Sequence, residues 1–370
     1  MGARGERARS GLCRGRGRLG IGLLGVAAAV LAGPVRAAEP SIRVLLAESD
    51  AAVEVRRGAD ATSLRPAQGG LRANGQLSGG IWRAAGAEPV VVDGVRVRGA
   101  VEVARVPGGL RVVNELPLEA YVAGTVGREV YSFWDPETLK AQAVVTRTYA
   151  LHERERRARR AFHVASGTHG QVYGGVAAET PPVLAATRAT RGEYLAWRSK
   201  PILAVFHSAS GGQTASAQEV WGRAEPYLVS LPVANEEDSP DTYWRASISG
   251  TTLGRALATL GLQLGPVHEI RVLERTPSGR ARRVELRGDR GDSVLGARDL
   301  RSALGENVIR STLFEIRSAG DDFVFVGAGH GHGVGMSQWG AQAMAVRGAD
   351  YRQILAAFFP GTELTQGPPR

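Results

Sequence analysis

The sequence predicts an α+β protein with a β-rich N-terminal part and a smaller α+β unit late in the chain. Three patterns support this. Short β-type runs, punctuated by Gly, Pro and Asp, crowd residues 42–114. Helical signals begin at Pro117. Strand and helix patterns then mix again between residues 249 and 316.

The first 37 residues stand apart. Residues 1–18 hold six arginines, Leu19 to Leu31 is a short apolar run, and Val35-Arg36-Ala37 or Arg36-Ala37-Ala38 offers a small-residue cleavage site. That is the layout of a secretory signal peptide, so residues 1–37 are expected to direct export and be removed. The apolar run falls short of the ~20 residues a membrane span requires, so the membrane is met only during export. The expected destination is the periplasm or cell wall. Cys13 is the one cysteine and precedes the apolar run, so the exported chain must rely on an ordinary buried core. Losing seven Arg and one Glu with the leader takes the net charge from +10 to +4, and only Lys140 and Lys200 are lysines. That balance gives no nucleic-acid footprint and suits a mildly acidic polymer such as a cell-wall glycan.

In chain order, Ile42–Leu46, Val53–Val55, Val90–Val92, Val101–Val103 and Leu110–Val113 read as strands, with 57–89 as loop and weak strand. Leu116–Gly124 reads as a short helix with Pro117 in its first turn. Asp135-Pro136-Glu137 opens a longer helix with an N-cap, a first-turn proline and an acid. It ends in the charged run Glu153–Arg160, a solvated helix end rather than a nucleic-acid patch. Ile202–Phe206 is a candidate strand. The late unit comprises a helix near Leu253–Leu260, strands near Ile270–Leu273 and Arg283–Leu286, and a helix at Arg298–Leu304. Helices at 338–347 and 351–358 follow, the second with a capping box from Asp350 and Gln353. Residues 365–370 are expected to be a tail.

Gly327 to Gly340 is the most informative stretch. Five glycines alternate from Gly327 to Gly335, with His330 and His332 between them, so another chain segment can approach the backbone closely. No G-x-G-x-x-G spacing is present and too little chain remains for a Rossmann unit, which excludes dinucleotide binding of that kind. Five of the seven histidines fall in three Gly/Ser-rich segments: His163 and His169, His207, and His330 with His332. Metal ligands, a hydrolase triad and a polar ligand cleft all use such clusters. No third ligand arrives at a metal spacing and no G-x-S-x-G elbow exists. Sugar chemistry also needs an acid. Glu129 is a candidate, set among Val126, Val130, Tyr131, Phe133 and Trp134, where an apolar setting would raise its pKa. A helix-end Glu paired with Arg128 or Arg147 is the plainer alternative.

Three ordered motifs together resemble the SpoIID/LytB family, the stage II sporulation protein D and amidase-enhancer relatives. They are Leu118–Glu129 continuing through Leu139–Ala150; Phe206–Thr214 with Glu219–Gly222 and Pro226–Leu228; and Gly331–Ala341 with Pro360–Glu363. The resemblance spans roughly Ile42 to Leu364. It implies a lytic transglycosylase acting on peptidoglycan glycan strands stripped of stem peptides, with Glu129 as the catalytic acid. Lys140, Arg147, Gln171, Tyr173, His207, Ser210, Trp221, His332, Ser337 and Gln338 would bind substrate, and Trp134, Tyr227 and Trp339 are further candidates for stacking on sugar rings. Some relatives bind zinc through a Cys and a His. Here Ala165 stands where the Cys is expected, so no cofactor is expected, with His169 and His330 the residual metal candidates.

The expected architecture is two-lobed. A β-rich region, 38–115, packs beside a catalytic core split into 116–231 and 321–364, with a smaller α+β unit, 232–320, inserted between the parts. An enhancer that binds peptidoglycan and stimulates a partner amidase is the non-enzymatic alternative, and a muramidase using Glu219 as second carboxylate is a third.

Overall fold

Alternation builds the N-terminal part. In Ser41–Ser49, Ile42 and Val44 turn inward; Val53 and Val55, Val101 and Val103, and Leu110 and Val112 do the same in their strands. The computed structural model describes residues 39–167 and 170–367, so the leader reading and His169 lie outside the described residues. A five-stranded sheet has the order Val164–Ala165, Ser41–Ser49, Gly109–Pro117, Ala100–Val106, Ile81–Ala84. A six-stranded sheet has the order Gln76–Leu77, Gly70–Ala73, Asp60–Ala67, Val53–Arg57, Val90–Val92, Val95–Val97. The stretch 57–89, read as mostly loop, supplies four of these strands. Its Gly and Arg residues conceal a meander whose inward positions are few, chiefly Leu64 and Leu71.

Helix α1 spans Leu118–Glu129 and α2 spans Pro136–Arg156. Pro117 sits at the N-cap of α1, and Asp135 caps α2 by accepting from the Glu137 N–H at 2.8 Å. α1 runs a turn further than its sequence suggests, because Thr125, Val126 and Val130 are buried against the β-rich core. α2 is covered on two sides. Leu139, Ala143, Ala150 and Leu151 join the N-terminal core, whereas Ala141, Val144 and Val145 join a second core. This explains the small residues along its length: wide side chains on either side would push the two cores apart.

The second core collects α3 to α8 only in part. α3 (Pro181–Ala189) packs on α1 and α2, while α4 (Ala217–Trp221) contributes Ala217 to the second core. α7 (Gln338–Val346) and α8 (Tyr351–Phe358) close it with Ala341, Ile354, Leu355 and Phe358. The Asp350–Gln353 capping box is present at α8. Residues 202–205 are irregular, with Ile202 and Ala204 buried and Leu203 and Val205 half-buried, and only Phe206–His207 of that run pairs as a strand. Glu363–Gln366 pairs with Glu193–Ala196, so part of the expected tail is an edge strand.

A third core is drawn from residues between Trp244 and Phe325. It gathers α5 (Gly250–Ala258), α6 (Ala297–Leu304) and two three-stranded antiparallel sheets. Asp322–Gly327, expected in the second half of the split core, pairs instead with Trp244–Ser249 and Phe314–Ala319. Phe323 and Phe325 are the reason, since both point into the third core.

Candidate functional site

The glycine-rich loop joins the motifs. Phe206–His207 pairs in parallel with Met336–Ser337, and Ala209 exchanges backbone hydrogen bonds with His330. Gly335 has φ +74°, and a Cβ there would lie 2.2 Å from the Val205 carbonyl oxygen. Only glycine lets these two backbones meet. A second tie is a buried carboxylate that sequence reading missed. Glu236 accepts from the Ser210 N–H at 2.9 Å, the Ser210 hydroxyl at 2.6 Å, the Gly211 N–H at 3.0 Å and the Ser337 hydroxyl. Ser210 and Ser337 are therefore spent on holding the motifs together, and neither reaches the cavity described below. Nothing in the Glu236-Glu237-Asp238 run marks its first acid as the buried one.

Close packing also sets the other wall. A Cβ on Gly124 would come 2.7 Å from the Tyr173 ring, and one on Gly127 would come 2.1 Å from the Ala178 carbonyl oxygen. The missing side chains let the 170–178 segment lie on α1. The Val172 N–H then donates to Glu129 Oε1 at 2.5 Å, while Gln338 Nε2 donates to the Glu129 carbonyl at 3.0 Å. Glu129 is thus the last residue of α1, fixed from two sides. Burial pushes its carboxyl up from 4.5 to about 7, against the opposing pull of the Val172 hydrogen bond and Arg128.

Glu129 opens on a cavity of about 890 Å³. Of the residues expected to bind substrate, Gln171, His207, Trp221, His332 and Gln338 line it with Glu129, and so does His330. Gln171 accepts from the Tyr121 hydroxyl at 2.8 Å through Oε1, leaving its buried Nε2 without a partner among the described residues. His207 Nδ1 lies 3.1 Å from the Val334 carbonyl, so that nitrogen carries the proton and the buried Nε2 keeps a free lone pair. His332 accepts from the Val334 N–H at 3.0 Å, and its ring stands 5.4 Å from that of Trp221. Desolvation holds His207 well below the usual histidine range and, with nearby arginines, brings His332 down to about 4. Both imidazoles are neutral at pH 7.

Other expected site residues lie elsewhere. Arg147 is fully buried and forms a two-pronged pair with Glu119, at 2.8 and 2.7 Å, that locks α1 to α2. Lys140 pairs with Glu137 at 2.5 Å beside Tyr351. Their sevenfold spacing does mark one helix side, but that side packs on α1 and on α8 rather than on the cavity. Tyr173 donates to the Asn114 side chain at 3.0 Å and stacks on Tyr121. Trp134 and Tyr227 are buried, whereas Tyr131 and Phe133 are exposed, Phe133 at 81 %, in a stack beside Trp134 and Trp339.

Among the described residues no three of His, Cys, Asp and Glu gather around one point. His330 faces Asp241 at 3.0 Å, and Asp241 also holds Arg310.

Residues 107–197 match the family model described as stage II sporulation protein, and residues 215–335 match a domain of unknown function. Stage II sporulation protein D of Bacillus subtilis is 31% identical over 270 residues, covering 69% of this chain and 76% of that protein. The chain belongs to the SpoIID/LytB family. An uncharacterized protein of Brachyspira hyodysenteriae is 33% identical over 256 residues, 68% of each chain. The amidase enhancer of Bacillus subtilis is 27% identical over 287 residues, which cover 65% of this chain and 40% of that longer protein. The unnamed second domain, 215–335, takes in the inserted unit and most of the glycine loop. The cavity is therefore walled by both matched regions: Glu129 and Gln171 come from the first, His207 from between them, and Trp221 and His332 from the second.

Proposed function

We propose that this SpoIID/LytB protein is an exported lytic transglycosylase that cleaves the linkage between N-acetylmuramic acid and N-acetylglucosamine in peptidoglycan glycan strands. The observation that carries the reading is the Glu129 carboxyl, fixed at the wall of a cavity and protonated in part near pH 7. Because the Val172 N–H occupies Oε1, the acid proton belongs on Oε2. From there it passes to the glycosidic oxygen as the bond to C1 breaks, and positive charge spreads over C1 and the ring oxygen. The C6 hydroxyl of the same muramic acid attacks C1, and Glu129, now a carboxylate, accepts its proton. One carboxyl thus serves as acid and then base, and the nucleophile is supplied intramolecularly at high effective concentration. The neutral His207 and His332, with Gln171 and Gln338, offer hydrogen-bonding groups to hydroxyls and acetamides without adding charge. Trp221 offers an apolar face.

Purified exported chain on denuded glycan strands, with products read by mass spectrometry, tests this. The expected products carry 1,6-anhydro ends and are absent with Glu129→Gln. Reducing ends would instead indicate hydrolysis, with Glu219 the carboxylate to examine. The likeness to an amidase enhancer favours one second reading: a binder that cleaves nothing and raises the activity of an added amidase. Among the described residues no helix is long and apolar enough to cross a membrane.

A further inference from the structure

One buried cation in the cavity wall makes no ion pair among the described residues. Arg280, on the strand connection of the inserted unit, is 2 % exposed. Its Nη2 donates to the Ser210 carbonyl at 2.9 Å, but Nε and Nη1 have no partner among the described residues. No carboxylate of the described residues lies within the 4 Å of an ion pair, although Glu219 and Glu236 are near enough to be felt. The guanidinium lies over Gly333, where a Cβ would be 2.4 Å from Nη2, so this glycine of the alternating run is the seat on which Arg280 rests. Burial brings its pKa down to about 10, which leaves it charged at neutral pH.

Desolvating a charge with two unmade hydrogen bonds is costly, and such a group is retained where an anion completes it. Of the other cavity arginines, Arg298 makes no ion pair among the described residues and donates to the Val220 carbonyl at 2.9 Å, while two are paired. Arg282 pairs with Glu274 at 2.7 Å, and Arg301 pairs with Glu306 at 3.1 Å and donates to the Ile309 carbonyl. Glu219, Asp299 and Glu306 line the same cavity, a setting that suits one negative charge better than the two of a phosphate.

We propose that Arg280 receives a carboxylate of the substrate and thereby selects which strands enter the cavity. Resting on the glycan-cleaving reading above, the carboxylate is the lactyl group of N-acetylmuramic acid. In a strand that bears stem peptides that carboxyl is consumed in an amide bond; in a denuded strand it is free and anionic. A guanidinium gives a carboxylate charge-assisted N–H donors, and Arg280 Nη1 still has its hydrogen bonds unmade. Arg280 is a specificity residue in this scheme and takes no part in proton transfer.

Calorimetry at pH 7 with the Glu129→Gln chain, which should leave the ligand intact, tests this with three saccharides. One is a tetrasaccharide of alternating N-acetylglucosamine and N-acetylmuramic acid with free lactyl carboxylates; the second has those groups as methylamides; the third bears stem peptides. The free acid should bind roughly tenfold to hundredfold more tightly than the methylamide. Adding Arg280→Gln should bring that ratio near one while leaving the methylamide affinity unchanged, and Arg280→Lys should restore part of it. Equal binding of acid and methylamide overturns the proposal, as does a preference that survives Arg280→Gln. If the Arg280→Gln chain does not fold, the acid-against-methylamide ratio in the parent chain decides alone. Tightest, Arg280-dependent binding of the peptide-bearing form would assign the carboxylate to the stem peptide and overturn the lactyl assignment. A preserved preference without cleavage by the parent enzyme defeats only the lytic reading. Normal anhydro products with equal binding defeat only the role of Arg280. No binding of any saccharide defeats both.

Discussion

Replacing Glu129 with Gln isolates the energetic consequence of burying an acid. The folded carboxyl titrates at about 7 against 4.5 for a free glutamate side chain. Between those values the native state holds the proton and the unfolded state has lost it, so stability falls as pH rises through the window. At 1.36 kcal/mol per pH unit, the accumulated loss above pH 7 is about 3 kcal/mol. Gln keeps an acceptor for the Val172 N–H and cannot ionise. The variant should therefore match the parent at pH 4.5 and exceed it by roughly 2–4 kcal/mol at pH 8 to 9, seen as a melting temperature several degrees higher. Urea unfolding at intervals from pH 4.5 to 9, with the two stability curves subtracted, is the assay. Subtraction matters because His207 and His332 titrate with the opposite sign over part of the range. Parallel curves, or a variant less stable at pH 9, would refute the claim that this carboxyl is held neutral by its surroundings. In the proposed mechanism the same proton is the catalytic one, so turnover on denuded strands should fall above pH 7.

The histidines give the complementary result. His332, brought down to about 4, should cost stability as pH falls from 6.5 toward 4, about 3 kcal/mol, and His332→Gln should flatten that limb of the unfolding curve. Arg147→Met should destabilise by about 3–5 kcal/mol by stranding Glu119, with most of the loss recovered in the Glu119→Gln/Arg147→Met double variant; an additive double would argue against the pair. Gly335→Ala should lose at least about 3 kcal/mol and all cleavage together, since the added methyl meets the Val205 carbonyl at a positive φ; normal melting would contradict the close approach. Phe133→Ala should raise KM on glycan strands about fivefold with little change in melting temperature, and an unchanged KM would remove the Tyr131–Phe133 stack from the binding surface.

Much of the fold could be read from local pattern, because strands such as Ser41–Ser49 and Val53–Arg57 put alternate residues in the core. What pattern missed were elements whose burial is set from afar. The 60–84 meander carries Arg and Gly on its outward side, and Glu363–Gln366 is ordered only because Glu193–Ala196 offers it an edge. Around the cavity, Glu129, His207, His332 and Gln338 were identifiable as chemically apt residues in glycine-rich or helix-end settings, and Gln171 and Trp221 through the family resemblance. Arg147, Tyr173, Ser210 and Ser337 were equally apt by residue type but are used within the interior. The difference lies in partners distant in the chain, Glu119, Asn114 and Glu236, which spacing does not reveal. Arg280 was overlooked for the converse reason: among so many arginines, only the lack of a partner distinguishes it.

The double coverage of α2 bears on how the chain tolerates change. A helix that serves two interiors has almost no neutral surface in its middle turns, so drift at Ala141, Ala143 or Val144 is constrained from opposite directions at once. Enlarging one of them would strain whichever interior it faces and shift the helix against the other. Substitutions should accumulate instead at the arginine-rich end beyond Leu151, and heat should melt the two interiors in one transition rather than in sequence.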